Sequence, residues 1–194
     1  MPRIYTRTGD DGETHLGDGT RSAKFAPRVE LYGEIDELNS VIGLSVAILK
    51  RVGVEGFGTL PGDLQDIQSR LFDLGSILAN PGLSASWKAK DLVAQDFGTV
   101  GLEHRIDEMD RNLTPLKTFI LPGGQEGAAS LHQARTVCRR VERKAVALAK
   151  EADVPTGAVI YLNRLSDFLF TAARAANAAS GVPDVPWVGH SGDA

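Results

Sequence analysis

Five stretches of this 194-residue chain carry apolar residues at three-to-four spacing, and none carries a long alternating pattern. Side chains return to one face of an α-helix every three or four residues, whereas a half-buried strand has a period of two. Residues 28–51 place Leu31, Ile35, Leu38, Ile42, Val46 and Leu49 in helical register. Residues 63–79 do the same with Leu64, Ile67, Leu71, Leu74 and Leu78, and a weaker set over 99–113 uses Leu102, Ile106, Met109 and Leu113. Residues 126–151 follow, then 157–180 with Val159, Leu162, Leu165, Leu169 and Ala173. Breakers separate them: "VGVEGFGTLPG", "NPGLSASW", "FILPGG" and "DVPTG". Amphipathic helices bury their stripes against one another, so the expected fold is all-α, a five-helix bundle. One domain over residues 1–194 is expected, with a loop at 1–26, the bundle at 27–181 and a tail at 182–194.

A chain of this length buries about 70% of its unfolded surface, enough to fold without disulfides or a structural metal. Cys138 is the only cysteine, which excludes an intramolecular disulfide framework and a multi-cysteine zinc site. Helical spacing puts it with Ala134, Val137, Val141 and Ala145 on the apolar side, where a buried, inert thiol is expected. No run of 18 apolar residues occurs, and "MPRIYTRTGD" has no apolar signal core. No membrane partner and a cytoplasmic location are expected. A net charge of −4 argues against a nucleic-acid partner.

Within this acidic chain, "HQARTVCRRVERK" concentrates Arg135, Arg139, Arg140, Arg143 and Lys144 against Glu142 alone. Arg135, Arg139 and Arg143 stand at i, i+4 and i+8, where like charges repel by a few tenths of a kcal/mol per pair. A compact anion would justify the stripe. A solvated face, with compensating pairs such as Arg139 with Glu142, would account for it without function. Asp36, in "YGEIDELN", is placed to reach one of these arginines. Asn163 and Asp167, at i and i+4 in "YLNRLSDFLF", read either as structural hydrogen-bonding residues or as ligand contacts.

Helical bundles often hold metals, but none of His15, His104, His132 and His190 has a glutamate three residues before it, so the di-iron pattern fails. The segment "TGDDGETHLGDG" interleaves Gly9, Gly12, Gly17 and Gly19 with hydroxyls, which suits convergence of backbone N–H groups on an anion. It is neither a P-loop nor an EF-hand. Its acids, Asp10, Asp11, Glu13 and Asp18, fit a metal-bound anion or a solvated turn.

Four segments, "IYTRTGDDGETHLGDG", "PRVELYGEIDELNS", "FILPGGQEGAASLHQARTVCRRVERK" and "YLNRLSDFLFTAARAAN", together resemble the PduO-type ATP:cob(I)alamin adenosyltransferases. The resemblance runs from about Ile4 to Trp187. It implies a ferritin-like, cobalamin adenosyltransferase-like five-helix bundle with an N-terminal ATP-binding loop, assembled as a homotrimer with active sites between subunits. The implied reaction transfers the 5′-deoxyadenosyl group of ATP to the cobalt(I) of a corrinoid. By the same resemblance, ATP is bound by Thr6, Arg7, Thr8, Gly9, Asp10, Gly12, Thr14 and Lys24 of the loop, by Arg139, Arg140, Glu142 and Arg143, and by Asn163. Glu142 serves the Mg²⁺ side. Asp36 and Arg135 pair across the subunit interface at the corrinoid. Phe119 presses on the lower corrin face, keeping the axial base off cobalt(II). A flavin-type reductase and an adenosylcobalamin-dependent enzyme are the implied partners. Two other classes compete: a non-catalytic corrinoid or nucleotide carrier, and an RNA-binding helical module, which would need a basic surface and stacking aromatics where this chain has 6% aromatic residues.

Overall fold

The computed structural model describes residues 5, 7–53, 55–82 and 98–189. All five expected helices form: α1 (Pro27–Val52), α2 (Leu60–Leu78), α3 (Thr99–Asp110), α4 (Glu126–Leu148) and α5 (Thr156–Ala179). Their ends fall where local chemistry stops or starts them. Pro27 occupies the first turn of α1, where a missing N–H costs nothing. The Gln125 side chain accepts from Gly127 N at 2.6 Å and caps α4.

The helices pack in the order α2, α1, α4, α5, with α3 against α5. Their shared core contains the apolar stripes read from the sequence, including Leu31, Leu38, Leu64, Leu71, Val141 and Leu165. Cys138 lies within it; its Sγ donates to Leu162 O at 3.2 Å, and burial pushes its thiol pKa upward. Its burial is as expected.

One region departs from the loop expectation. Strands β1 (Glu13–His15) and β2 (Arg21–Ala23) form an antiparallel hairpin with Thr14 opposite Ser22. Asp18 closes its turn by accepting from Thr20 N at 2.9 Å and Thr20 Oγ1 at 2.7 Å. The hairpin docks on the bundle where α2 ends, through Gly17 N to Ala79 O at 2.7 Å.

Helices α1 and α4 run antiparallel and are laced by charge. Arg140 pairs with Glu34 and Glu37, and Lys144 with Glu30 and Glu34. Burial raises the Glu34 carboxyl pKa, but hydrogen bonds from Lys144 and Arg140 outweigh it and hold the group below its ordinary 4.5. A carboxylate with a lowered folded pKa contributes stability above its unfolded pKa and loses it as pH falls through the folded value. Glu34→Gln is therefore expected to cost about 1–2 kcal/mol at neutral pH, discounted for the partial exposure of Arg140. That deficit should shrink below about pH 4.5, which urea unfolding at pH 7 and pH 4 would show. A pH-independent deficit would mean that Glu34 acts by packing alone.

Candidate active site

The five cations of "HQARTVCRRVERK" divide by helical face. Arg140 and Lys144 turn toward α1 and are consumed by its three glutamates. Arg139 and Arg143 face outward and make no ion pair among the described residues; Arg143 donates only to Arg139 O, at 3.1 Å. The compensating Arg139–Glu142 pair does not form. Instead, Glu142 Oε1 accepts from Asn163 Nδ2 of α5 at 2.9 Å, so the motif glutamate and asparagine are brought together across the α4–α5 seam. Asp167, one turn further along α5, pairs with Arg164 at 2.8 Å.

Arg135 continues the stripe and is half-buried. Burial, and then the charge of Arg139, push its pKa below the ordinary arginine range. Its guanidinium lies 5.9 Å over the Phe170 ring, and its Nε is buried without a partner among the described residues. Asp36 is exposed on α1 and makes no ion pair among the described residues, so it does not reach an arginine of its own chain. His132 is 3% exposed and meets the Phe170 ring edge-on at 5.9 Å. Burial first, and then the charge of Arg135, lower its pKa.

At the N-terminus, Thr6 lies outside the described residues. Arg7 takes a left-handed φ of 62° and stacks over the Tyr5 ring at 5.5 Å. Gly12, at φ 85°, makes a turn that a side chain would strain. Lys24 closes the loop on itself: its N donates to Gly12 O at 2.9 Å and its Nζ to Gly9 O at 2.6 Å. Three of the four loop acids hold structure. Asp11 and Glu13 pair with Arg21, and Asp18 closes the hairpin turn. Thr8 and Asp10 are exposed, while Thr14 sits within β1.

Phe119 lies in the segment leading to α4 and is 80% exposed, its ring held edge-on to Trp187 with centroids 6.4 Å apart. The tail pairs alongside it: Trp187 N donates to Phe119 O at 2.7 Å and Leu121 N to Val185 O at 2.8 Å. The hairpin docks where α1 begins, whereas this segment lies where α1 ends, near the Arg51–Glu126 pair. A 26-residue helix is about 39 Å long, so one chain does not bring the loop and Phe119 together.

Two site-forming residues carried no role in the sequence reading. Asn177 bridges the turn before α4, with Oδ1 accepting from Gln125 N at 3.0 Å and Nδ2 donating to Gly123 O at 3.0 Å. Gly124 is at φ 106°, and a Cβ there would meet Asn177 Oδ1 at 2.1 Å. Arg174, 4% exposed, binds Asp184 at 2.8 Å and Thr114 O at 2.6 Å. A buried charge in an alanine-rich helix requires such partners, and that was the signal available.

Among the described residues no cluster of three or more acidic, histidine or cysteine side chains is arranged to hold a metal ion. No helix among them is long and apolar enough to cross a membrane.

Residues 4–176 match the family profile described as cobalamin adenosyltransferase. A corrinoid adenosyltransferase of Bacillus subtilis is 46% identical over 185 residues, 95% of this chain and 92% of the relative. A phenylalanine-to-alanine variant of a PduO-type ATP:corrinoid adenosyltransferase from Lactobacillus reuteri, complexed with cobalamin and ATP, superposes with a TM-score of 0.85 at 39% identity. It covers 95% of this chain and 99% of that one. An arginine-to-lysine variant of the Lactobacillus reuteri enzyme complexed with ATP gives 0.84 at 39% identity, covering 95% and 100%. Profile, identity and fold agree over nearly the whole chain, which belongs to the cobalamin adenosyltransferase family.

Proposed function

We propose that this chain transfers the 5′-deoxyadenosyl group of ATP to the cobalt(I) of cobalamin or a related corrinoid, releasing tripolyphosphate and forming adenosylcobalamin. The observation that carries the reading is the stripe Arg135, Arg139 and Arg143, without acidic partners among the described residues, beside the Glu142–Asn163 bond in a chain of this family. The electron pair of cobalt(I) forms the bond to the 5′ carbon as the carbon–oxygen bond breaks. That oxygen departs with the triphosphate and keeps its electron pair. Cobalt(I) is itself the nucleophile, so the protein's work is to orient ATP, stabilise the charge on the leaving group and exclude water.

Arg139 and Arg143 hold the triphosphate, and Asn163 contacts the nucleotide while fixing Glu142. The residues present suit Mg²⁺ bound mainly by phosphate oxygens, since that ion is commonly held by one or two carboxylates plus the substrate. Glu142 would supply that carboxylate, and its second oxygen makes no ion pair among the described residues. Thr6, Arg7, Thr8, Gly9, Asp10, Gly12 and Thr14 form the nucleotide loop. Lys24 and Arg140 begin engaged with Gly9 and with Glu34 and Glu37, so contact with ATP requires them to exchange partners.

A homotrimer supplies what one chain separates, with the loop and the Phe119 segment meeting between subunits. Asp36, without an ion pair among the described residues, and the half-buried Arg135 then pair across the interface. Removing one member strands the other at about 3–5 kcal/mol. Asp36→Ala is expected to loosen the trimer in sedimentation, and the Asp36→Ala/Arg135→Ala double variant to lose less than the sum of the singles. Strict additivity would exclude the pair. A cytoplasmic setting, with a flavin-type reductase upstream and an adenosylcobalamin-dependent enzyme downstream, completes the reading. The activity itself is tested by tripolyphosphate release: one equivalent per reduced corrinoid is expected, whereas a carrier would bind both substrates and release none.

A further inference from the structure

Phe119 is an exposed ring that the hydrophobic core does not hold, yet its segment is anchored at three points. Two of the anchors come from one turn of α5. Arg174 reaches outward to Thr114 O, upstream of Phe119, at 2.6 Å, and to Asp184 Oδ2 of the tail at 2.8 Å. Asp110 stands 3.8 Å from the same guanidinium. Three residues on, Asn177 clamps the downstream turn by bonding both Gly123 O and Gln125 N. The third anchor is the tail, which Asp184 carries into register so that Val185 and Trp187 pair with Leu121 and Phe119. The backbone on both sides of Phe119, and the tail segment bridged to it, are thus tied to α5. The ring itself stays 80% exposed and meets Trp187 edge-on.

Arg174 is a charged guanidinium held at 4% exposure near the end of α5. Burying it is costly unless it finds partners, and here its two hydrogen bonds go to Thr114 O, upstream of Phe119, and to Asp184 of the tail, with Asp110 of α3 as a longer ion pair. We propose that Arg174, through Asp184, is a positioning residue for Phe119, setting how far the ring projects into the corrinoid site. This rests on the reading that Phe119 presses on the lower corrin face. A ring displaced by an ångström would no longer keep the axial base off cobalt(II), while the groups proposed to hold ATP, on the N-terminal loop, α4 and Asn163, would keep their own contacts.

Asp184→Ala tests this without removing the buried guanidinium, and Asp184→Asn keeps an acceptor oxygen for it. Each is assayed per folded molecule, from pre-formed cobalt(I) and from cobalt(II) with a weak reductant, alongside Phe119→Ala. For Asp184→Ala, cobalt(II)-started activity is expected to fall about tenfold or more, with cobalt(I)-started activity within about threefold and ATP affinity unchanged. The visible spectrum of bound cobalt(II) corrinoid with ATP should show more of the base-coordinated form, and Asp184→Asn should recover part of the loss. If Phe119→Ala splits the two assays and neither Asp184 variant does, the reading of Phe119 stands and the positioning role is overturned. Equal losses in both assays for Asp184→Ala would also overturn it, leaving Asp184 a general structural residue. Failure of Phe119→Ala itself to split the assays would remove the reading beneath it.

Discussion

Arg139→Ala is expected to lower kcat/KM for ATP by about two to three powers of ten, or roughly 3–4 kcal/mol, with little change in melting temperature. The two halves of that expectation have separate physical sources. Arg139 is exposed and makes no ion pair among the described residues, so the fold loses almost nothing with it. Its removal even relieves the repulsion of Arg139 with Arg135 and with Arg143. The departing triphosphate, in contrast, gains negative charge as the carbon–oxygen bond breaks, and a donor aimed at it counts most in the transition state. The loss should therefore appear in kcat as well as KM. Arg140→Ala makes the opposite control: its guanidinium is bound to Glu34 and Glu37, so the variant should lose stability. An Arg139→Ala protein that melts early while staying fully active per folded molecule would show that the stripe is structural.

Phe119→Ala should leave ATP affinity nearly unchanged, and activity from cobalt(II) with a weak reductant should fall by about two powers of ten or more. The ring is large, apolar and without a lone pair, so it can displace a donor ligand and water from the lower corrin face without replacing them. Losing a donor destabilises the oxidised metal relative to cobalt(I) and brings its potential toward the reach of a flavin. Activity from pre-formed cobalt(I) bypasses that step and should survive in larger part. The 80% exposure of the ring matters here: an aromatic that served only to pack would be covered by its own chain. Equal losses in both assays, with a lowered melting temperature, would show that Phe119 only packs.

The helices were legible because an apolar stripe such as Leu31, Ile35, Leu38 and Ile42 is a property of one segment, readable without knowing its neighbours. Features that depend on two distant segments were harder. The division of the arginine helix into a paired face and an unpaired face needed Glu30, Glu34 and Glu37 of α1, whose own i, i+4, i+7 spacing was the overlooked signal. The hairpin escaped because strands of three residues are too short to show alternation. The tail pairing escaped because the partner of Trp187, Phe119, lies 68 positions earlier, 187 − 119. Arg174 and Asn177 stood in plain view inside "FTAARAAN", where the surrounding alanines suggested nothing but core. The motif residues Glu142 and Asn163, assigned by resemblance alone, are joined by a hydrogen bond that neither spacing nor composition reveals.

The central claim is adenosyl transfer from ATP to cobalt(I), and the visible spectrum of the corrinoid reads it directly. Purified protein is mixed with ATP, Mg²⁺ and chemically reduced cobalamin under anaerobic conditions, and the spectrum is followed with time. Loss of the cobalt(I) bands and growth of those of a cobalt–carbon bond are expected, dependent on both ATP and protein and slowed by Arg139→Ala. A spectrum that stays that of cobalt(I), with both substrates bound, would contradict that claim.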